Sequence, residues 1–322
     1  FKLPSILAEE EVVEIIKFCN KEKINLIPRA AGTSLAGQVV GKGLVIDCSK
    51  YFNHIISIDE KEKTVEVECG VVRDSLNNYL KPYNLFFSPE TSTSNRCCIG
   101  GMVGNNSCGL HSIAWGTTRE NIKEISCILA DGSKVVFKDL TQEEFIENTK
   151  QPTLEGKIYK YIYDTYSKEG VKQEIKENFP DKDVTRRNNG YALDEVLDFN
   201  NINLSRLISG SEGTLCFITK ITLKLRSLPS NYRAAICVHF KTLEESFVAN
   251  LTCLKQSPIA VELMDNNIIE AARRNAGQRE NLFFVEGTPK AIIIDEICKE
   301  SEDELNDAIE NTIKELKDKN LG

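Results

Sequence analysis

Histidine is scarce in this chain: His54, His111 and His239 are the only three in 322 residues, and Trp115 is the only tryptophan. The longest apolar runs stop well short of the roughly 20 residues that span a bilayer. No signal-peptide pattern is visible. Positive charge is in deficit, with 40 Lys and Arg against 48 Asp and Glu and a net charge of −8. That balance disfavours non-specific nucleic-acid binding and anionic membrane surfaces. A Gly-x-Gly-x-x-Gly fingerprint is missing, which argues against a Rossmann dinucleotide site. The stretch Gly37 to Lys42 has the wrong spacing for a P-loop and no following Ser or Thr. Eleven cysteines are present, but no Cys-x-x-Cys or iron–sulfur spacing is among them. Most sit singly in apolar segments, where free Cys behaves as a small hydrophobe. No metal site is expected, and the free thiols fit a reducing, cytoplasmic setting.

What the chain has is small polar residues gathered in loops. Residues 88 to 121 are dense in Gly, Ser, Thr and Asn, with almost no acidic charge. A structureless stretch of this length in a compact domain is usually functional. Closely spaced N–H groups without bulky side chains suit an anionic or flat aromatic ligand. Two further stretches of this kind occur, Pro28 to Gln38 and Ser209 to Thr214. Three such loops, each beside a strand, point to a large ligand held at several places.

The length implies two domains. Residues 9 to 22 read as a helix, with Glu9, Glu10 and Glu11 at its start and Val12, Ile15, Ile16 and Cys19 at helical spacing. Short strands are expected at Asn25 to Pro28, Leu44 to Asp47, His54 to Ile58 and Thr64 to Cys69, and a helix at Val72 to Leu80. A hairpin turns at Asp131-Gly132. Residues 142 to 178 read as helical, and Leu215 to Leu225 as a strand. Composition shifts near Pro229. Strands and helices then alternate to the end: Ala234 to Phe240, Leu243 to Lys255, Ile259 to Leu263, Asn266 to Ala276, Ala291 to Ile297 and Glu302 to Lys317. The sheet of this second unit reads as incomplete.

Four ordered motifs carry a resemblance. Pro28-Arg29-Ala30-Ala31-Gly32-Thr33-Ser34-Leu35-Ala36-Gly37-Gln38 is similar to a Pro-Arg-Gly-Gly-Gly-Thr-Ser-Leu-x-Gly-Gln loop. Gly100-Gly101-Met102 with Asn105 to Gly109, Trp115 to Ile122, and Gly210-Ser211-Glu212-Gly213-Thr214-Leu215 with Ile218-Thr219 match further segments. Together they resemble the FAD-linked dehydrogenases of the vanillyl-alcohol-oxidase (PCMH) type, closest to the branch acting on D-lactate, glycolate and D-2-hydroxyglutarate. The resemblance implies an α+β fold: a two-lobed FAD-binding domain over residues 1–226, followed at 227–322 by the first part of a ferredoxin-like α/β cap. It implies oxidation of a 2-hydroxy acid to the 2-oxo acid, with hydride passing to flavin N5. The electron acceptor stays open among a quinone, a cytochrome and a flavoprotein, with membrane association through such a partner compatible with it. A same-fold flavin reductase, an oxidase and a non-catalytic electron-relay subunit remain as alternatives.

By the same resemblance, FAD would be contacted by Pro28, Arg29, Ala30, Ala31, Gly32, Thr33, Ser34, Gln38, Pro89, Thr91, Gly100, Gly101, Asn105, Asn106, Ser107, Gly109, Trp115, Gly116, Arg119, Asn121, Gly210, Glu212, Gly213 and Ile218. Flavin-linking relatives carry His in the first loop, where this chain has Thr33 and Ser34, so FAD is expected to be non-covalent. Arg187 and Asn189, beside Arg186, are candidates for a substrate carboxylate, because Arg pairs with carboxylates in bidentate geometry. His111 is the candidate catalytic residue, against a backbone-bonded loop histidine. Glu262 to Asp265 resembles a stretch of the family's substrate domain. The family's metal- and substrate-binding histidines lie downstream in the cap's second half. The chain is therefore expected to be a fragment of a longer protein with further domains.

Overall fold

The structure is a computed structural model. It describes residues 8–181, 183, 184, 186, 187 and 190–322. The chain divides into two compact units: residues 8–109 with 116–228, and 110–115 with 229–322. The second thus begins at Pro229 and also takes a short piece, Leu110–Trp115, from the middle of the loop-rich stretch.

In the first unit, helix α1 (Glu9–Glu22) buries Val12, Ile16 and Cys19, one face of a 3.6-residue repeat. Glu11 accepts the Ala8 N–H at 3.2 Å, which closes its first turn. Glu9 reaches Lys134 at 3.2 Å and Lys220 at 3.3 Å, tying the helix start to two strands. Strands β1 (Leu26–Arg29) and β2 (Leu44–Asp47) form a parallel pair, with the first glycine loop emerging from the end of β1. Next come β3 (Ile55–Asp59), β4 (Thr64–Glu68), helix α2 (Arg73–Leu80), the two-residue β5 (Leu85–Phe86) and helix α3 (Ile99–Asn105). After α4 (Ser112–Trp115), which packs with the second unit, β6 (Ile122–Ile128) and β7 (Lys134–Phe137) form a hairpin. Strand β8 (Leu140–Thr141) leads to three helices, α5 (Gln142–Asn148), α6 (Leu154–Tyr166) and α7 (Glu169–Asn178). Strand β9 (Asn201–Ile202) pairs with β8; helix α8 (Ser205–Ile208), β10 (Phe217–Lys224) and β11 (Arg226–Ser227) complete the unit.

The main sheet has the order β3-β4-β10-β6-β7 and is antiparallel throughout. Its strands alternate cleanly. Val65 and Val67 are 1% and 0% exposed, while Glu66 and Glu68 turn outward. In the central strand β10, Phe217, Thr219, Ile221 and Leu223 all face inward. One inward face and one wet face is the ordinary state of an antiparallel sheet.

Residues 88–121 are not one long loop. Ile99–Asn105 is helical despite three glycines, because those glycines let the helix pack closely. A Cβ at Gly100 would come within 2.6 Å of the Cys69 Cβ. Tertiary packing outweighs the poor helix propensity of glycine here.

The second unit runs β12 (Tyr232–Phe240), α9 (Leu243–Cys253), β13 (Ala260–Asp265), α10 (Asn266–Arg274), β14 (Ala291–Lys299) and α11 (Glu302–Asp318). Strand β14 lies between β12 and β13, antiparallel to both. Phe240, Ala249, Cys253, Ala291, Ile293 and Leu316 form its core between this sheet and helices α9 and α11. Ser301 caps α11 by accepting the Glu304 N–H at 3.3 Å, with Glu302, Asp303 and Glu304 at the positive helix end.

Candidate functional site

A cavity of about 540 Å³ opens in the first unit, within the roughly 300–1,000 Å³ typical of small-molecule sites. Most of its wall is made of three stretches: the loop after β1, the segment from Thr91 through α3 to Cys108, and the turn before β10, with Cys48, Cys69 and Arg186 beside them. The predicted residues Pro28, Ala30, Ala31, Gly32, Thr33, Ser34, Gln38, Thr91, Gly100, Gly101, Asn105, Ser107, Glu212, Gly213 and Ile218 all line it.

The first stretch supplies donors. Among the described residues, the N–H groups of Gly32, Thr33, Ser34 and Leu35 are used by no carbonyl and no side chain. The Ala31 N–H faces the Cys98 thiol. Gly32, Thr33 and Ser34 are half-buried and Leu35 is exposed, so these N–H groups beside the cavity stay open to an anionic ligand. The second stretch supplies smooth walls. Gly100 and Gly101 expose backbone, and the Ile99 and Gly100 N–H groups are fixed to the Val71 and Cys69 carbonyls at 2.9 and 2.8 Å. The third stretch closes onto α3. The Gly210 N–H donates to Val103 O at 3.0 Å and the Glu212 N–H to Gly104 O at 2.8 Å. Glu212 also accepts from Asn105 Nδ2 at 2.8 Å. Gly213 has φ +73°, and a Cβ there would lie 2.8 Å from Pro28 Cγ, so the first and third stretches meet only through a glycine.

The cysteines of the wall escaped the sequence reading. Cys48, Cys69, Cys97, Cys98, Cys108 and Cys216 all line the cavity. Burial, with the neighbouring Cys97 and Cys48 thiols, pushes the Cys98 thiol up to about 11. Cys69 is raised through its hydrogen bond with the Cys48 thiol and by burial. Cys69 and Cys98 are therefore neutral thiols at physiological pH, and the two present an uncharged, polarisable surface rather than nucleophiles. A single Cys in an apolar pattern gives no signal that separates a core residue from a wall residue. Leu35, Ala36, Val39, Ser92, Thr93, Met102, Gly104 and Arg186 complete the lining.

Nine other predicted contacts lie elsewhere. Asn106 and Arg119 form a frame behind the wall. The Asn106 Oδ1 accepts from Thr117 Oγ1 and the Arg119 N–H, each at 2.9 Å, and from Ser209 Oγ at 3.3 Å. Arg119 is 4% exposed and donates to three carbonyls: Arg206 at 3.0 Å, Arg187 at 3.4 Å and Ser209 at 2.7 Å. Burial lowers its pKa. Gly210 joins this frame through its contact with Val103, and Asn121 through Thr117 O at 2.8 Å. Pro89 accepts from Arg73 Nε at 3.1 Å, Gly109 packs on Glu90, and Gly116 turns the chain beside Glu120. Arg29 is exposed, with its guanidinium against Gly32. Trp115 belongs to the second unit, its ring 4.4 Å from that of His111.

His111 is also in the second unit and does not line the cavity. Its Nε2 meets Glu296 Oε2 at 3.0 Å, and Arg233 stands 3.8 Å from the other oxygen of Glu296. Arg187 is bonded to Asp194 and, at 3.0 Å, to Glu195. Burial alone would lower its pKa, but the two carboxylates outweigh it and the net shift is upward. Asn189 lies outside the described residues.

Residues 8–138 match the model of an FAD binding domain. Residues 8–138 are thus an FAD-binding domain of the PCMH type, and FAD is the cofactor this domain takes. Over 253 residues, 77% of the chain, it is 34% identical to a D-2-hydroxyglutarate dehydrogenase of Escherichia coli (strain K12). Over 307 residues, 91% of the chain, it is 28% identical to a mitochondrial D-lactate dehydrogenase [cytochrome] of Kluyveromyces lactis. It spans only 24% and 43% of the lengths of these two relatives. The solved structure of an alkyldihydroxyacetonephosphate synthase matches 97% of the chain and 50% of that protein, with TM-score 0.63 and 13% identity, which shows a shared fold. Among the described residues, no helix is long and apolar enough to cross a membrane.

Proposed function

We propose that this chain supplies the FAD-binding domain and the start of the cap in a dehydrogenase that oxidises a D-2-hydroxy acid to the corresponding 2-oxo acid. The observation that carries the reading is the row of open N–H donors from Gly32 to Leu35, facing glycine-smoothed walls in one cavity. A pyrophosphate needs such donors, and a flat ring system needs such walls. The substrate class rests on the relatives, which share a D-2-hydroxy carboxylate in their names.

FAD, when bound, supplies the two-electron acceptor for this chemistry. The chain's own groups hold and shape. The N–H groups of residues 32–35 take the negative charge of the pyrophosphate. Glu212, fixed by Asn105, offers an acceptor for a hydroxyl. The neutral thiols of Cys69 and Cys98 keep one wall uncharged and dry. Thr33 and Ser34 stand in the first loop and carry no nitrogen for a flavin bond, so the cofactor is held without a covalent link from that loop.

The test is reconstitution with FAD followed by anaerobic titration with D-2-hydroxyglutarate, D-lactate and glycolate, using the L-acids as controls. Bleaching of the oxidised flavin band by a D-acid alone supports the reading. A protein that takes up FAD but is reduced by none of these acids sinks the proposed oxidation. Failure to take up FAD sinks the site.

A further inference from the structure

Arg186 and Arg187 are neighbours in sequence, yet they serve different cavities. Arg187 lines a second cavity of about 440 Å³, together with Arg119, Glu195 and Arg206. It is anchored there twice. Its guanidinium bonds Asp194 and Glu195, and its carbonyl accepts from Arg119 Nη1 at 3.4 Å and Asn106 Nδ2 at 3.5 Å. Arg186 lines the flavin cavity instead. Among the described residues it makes no ion pair and no side-chain hydrogen bond, and it is exposed.

The charge inventory of the cavity makes this position unusual. Among the described residues, Arg186 and Glu212 are the only charged residues in the wall. Glu212, bonded to Asn105, is an acceptor and carries the wrong sign for an oxyanion. FAD brings a pyrophosphate into this space, and a hydroxy acid brings a carboxylate. The backbone donors of residues 32–35 carry only partial charges. An unpaired guanidinium offers five donors in a planar fork that fits either oxyanion.

We propose that Arg186 is the oxyanion-binding side chain of this cavity, closing on the FAD pyrophosphate or on the carboxylate of the acid. Resting on the FAD reading above, the assignment moves substrate or cofactor recognition away from Arg187, whose charge is consumed by its own neighbours.

The experiment compares the unmodified protein with Arg186→Ala in three titrations: FAD, riboflavin, and oxalate added to the FAD-reconstituted protein, each followed by flavin fluorescence or absorbance. Loss of one charge-assisted contact weakens binding by roughly tenfold. A pyrophosphate contact weakens FAD by that factor and leaves riboflavin, which has no phosphate, unchanged. A carboxylate contact leaves both flavins unchanged and weakens oxalate. Three constants within twofold of the unmodified protein would overturn the assignment, and so would equal losses for FAD and riboflavin. Because Arg186 has no ion pair or side-chain hydrogen bond among the described residues, the melting temperature stays the same. If the unmodified protein takes up no flavin at all, the FAD reading itself fails, and this inference with it.

Discussion

Arg119 Nη2 donates to the Ser209 carbonyl oxygen at 2.7 Å, from a side chain that is 4% exposed. The bond links the start of the 210–213 turn to the end of the loop-rich stretch, and Asn106 joins both. Arg119 therefore positions the third wall of the cavity from behind. Arg119→Ala takes the donor from the Arg206 and Ser209 carbonyls and leaves the Arg187 carbonyl only its bond from Asn106, and each unsatisfied buried group costs about 1–3 kcal/mol. The expected loss is about 3 kcal/mol of unfolding free energy in urea, with weaker FAD binding. Arg119→Lys, which can still reach one carbonyl, should recover part of both.

Gly213 holds φ +73° with Pro28 Cγ 2.8 Å from where a Cβ would stand. The left-handed conformation costs an L-residue about 1–2 kcal/mol, and overlap with a rigid proline ring adds to it. Gly213→Ala should lose about 2 kcal/mol of stability and should open the junction of the first and third walls. FAD affinity measured by fluorescence titration should fall with it. An Ala variant that keeps both stability and affinity would show that this junction does not shape the site.

Glycine-rich segments are legible because the backbone requirement fixes the residue: Pro28 to Gln38, Gly100 to Ser107 and Glu212 to Ile218 reach one cavity. The strands expected at Thr64 to Cys69 and Leu215 to Leu225 are equally plain, and the structure has them at Thr64–Glu68 and Phe217–Lys224. Less was visible where an outcome depends on distant partners. Arg119 carries its motif whether it meets a ligand or three carbonyls. Arg187 looks free until Asp194 and Glu195 fold back onto it. Nothing local marks Leu110–Trp115 as leaving the first unit, because the Glu296 that holds His111 lies 185 residues away. The glycines of α3 read as loop until Cys69 is seen packed against them.

Gly101 offers a direct test of the cavity. Its Cβ position has only Ala30 nearby, at 3.2 Å, and it faces the cavity. Gly101→Val should fill ligand space while disturbing little of the protein. The expected result is an unchanged urea midpoint and at least a tenfold loss of FAD affinity. In the unmodified protein, acid precipitation should leave the flavin in the supernatant; flavin retained in the pellet would contradict non-covalent binding.

Asp295 is 0% exposed on β14, and neither of its oxygens has a hydrogen-bond partner in good geometry, although the Cys253 thiol lies alongside. Burial pushes its carboxyl up to about 6, with Cys253 and Lys299 pulling weakly the other way. An acid whose folded pKa lies above its unfolded value binds more protons in the folded state between the two. Stability therefore falls as pH rises from about 3.8 to about 6, and the loss persists above that range. A shift of this size corresponds to about 3 kcal/mol at neutral pH. Asp295→Asn removes the charge and nearly keeps the shape. Urea unfolding of the two proteins should coincide near pH 4 and diverge by pH 7.5, with the Asn variant the more stable. Taking the difference between them cancels the titrations they share. Parallel stability curves across this range would show that the Asp295 charge is accommodated after all.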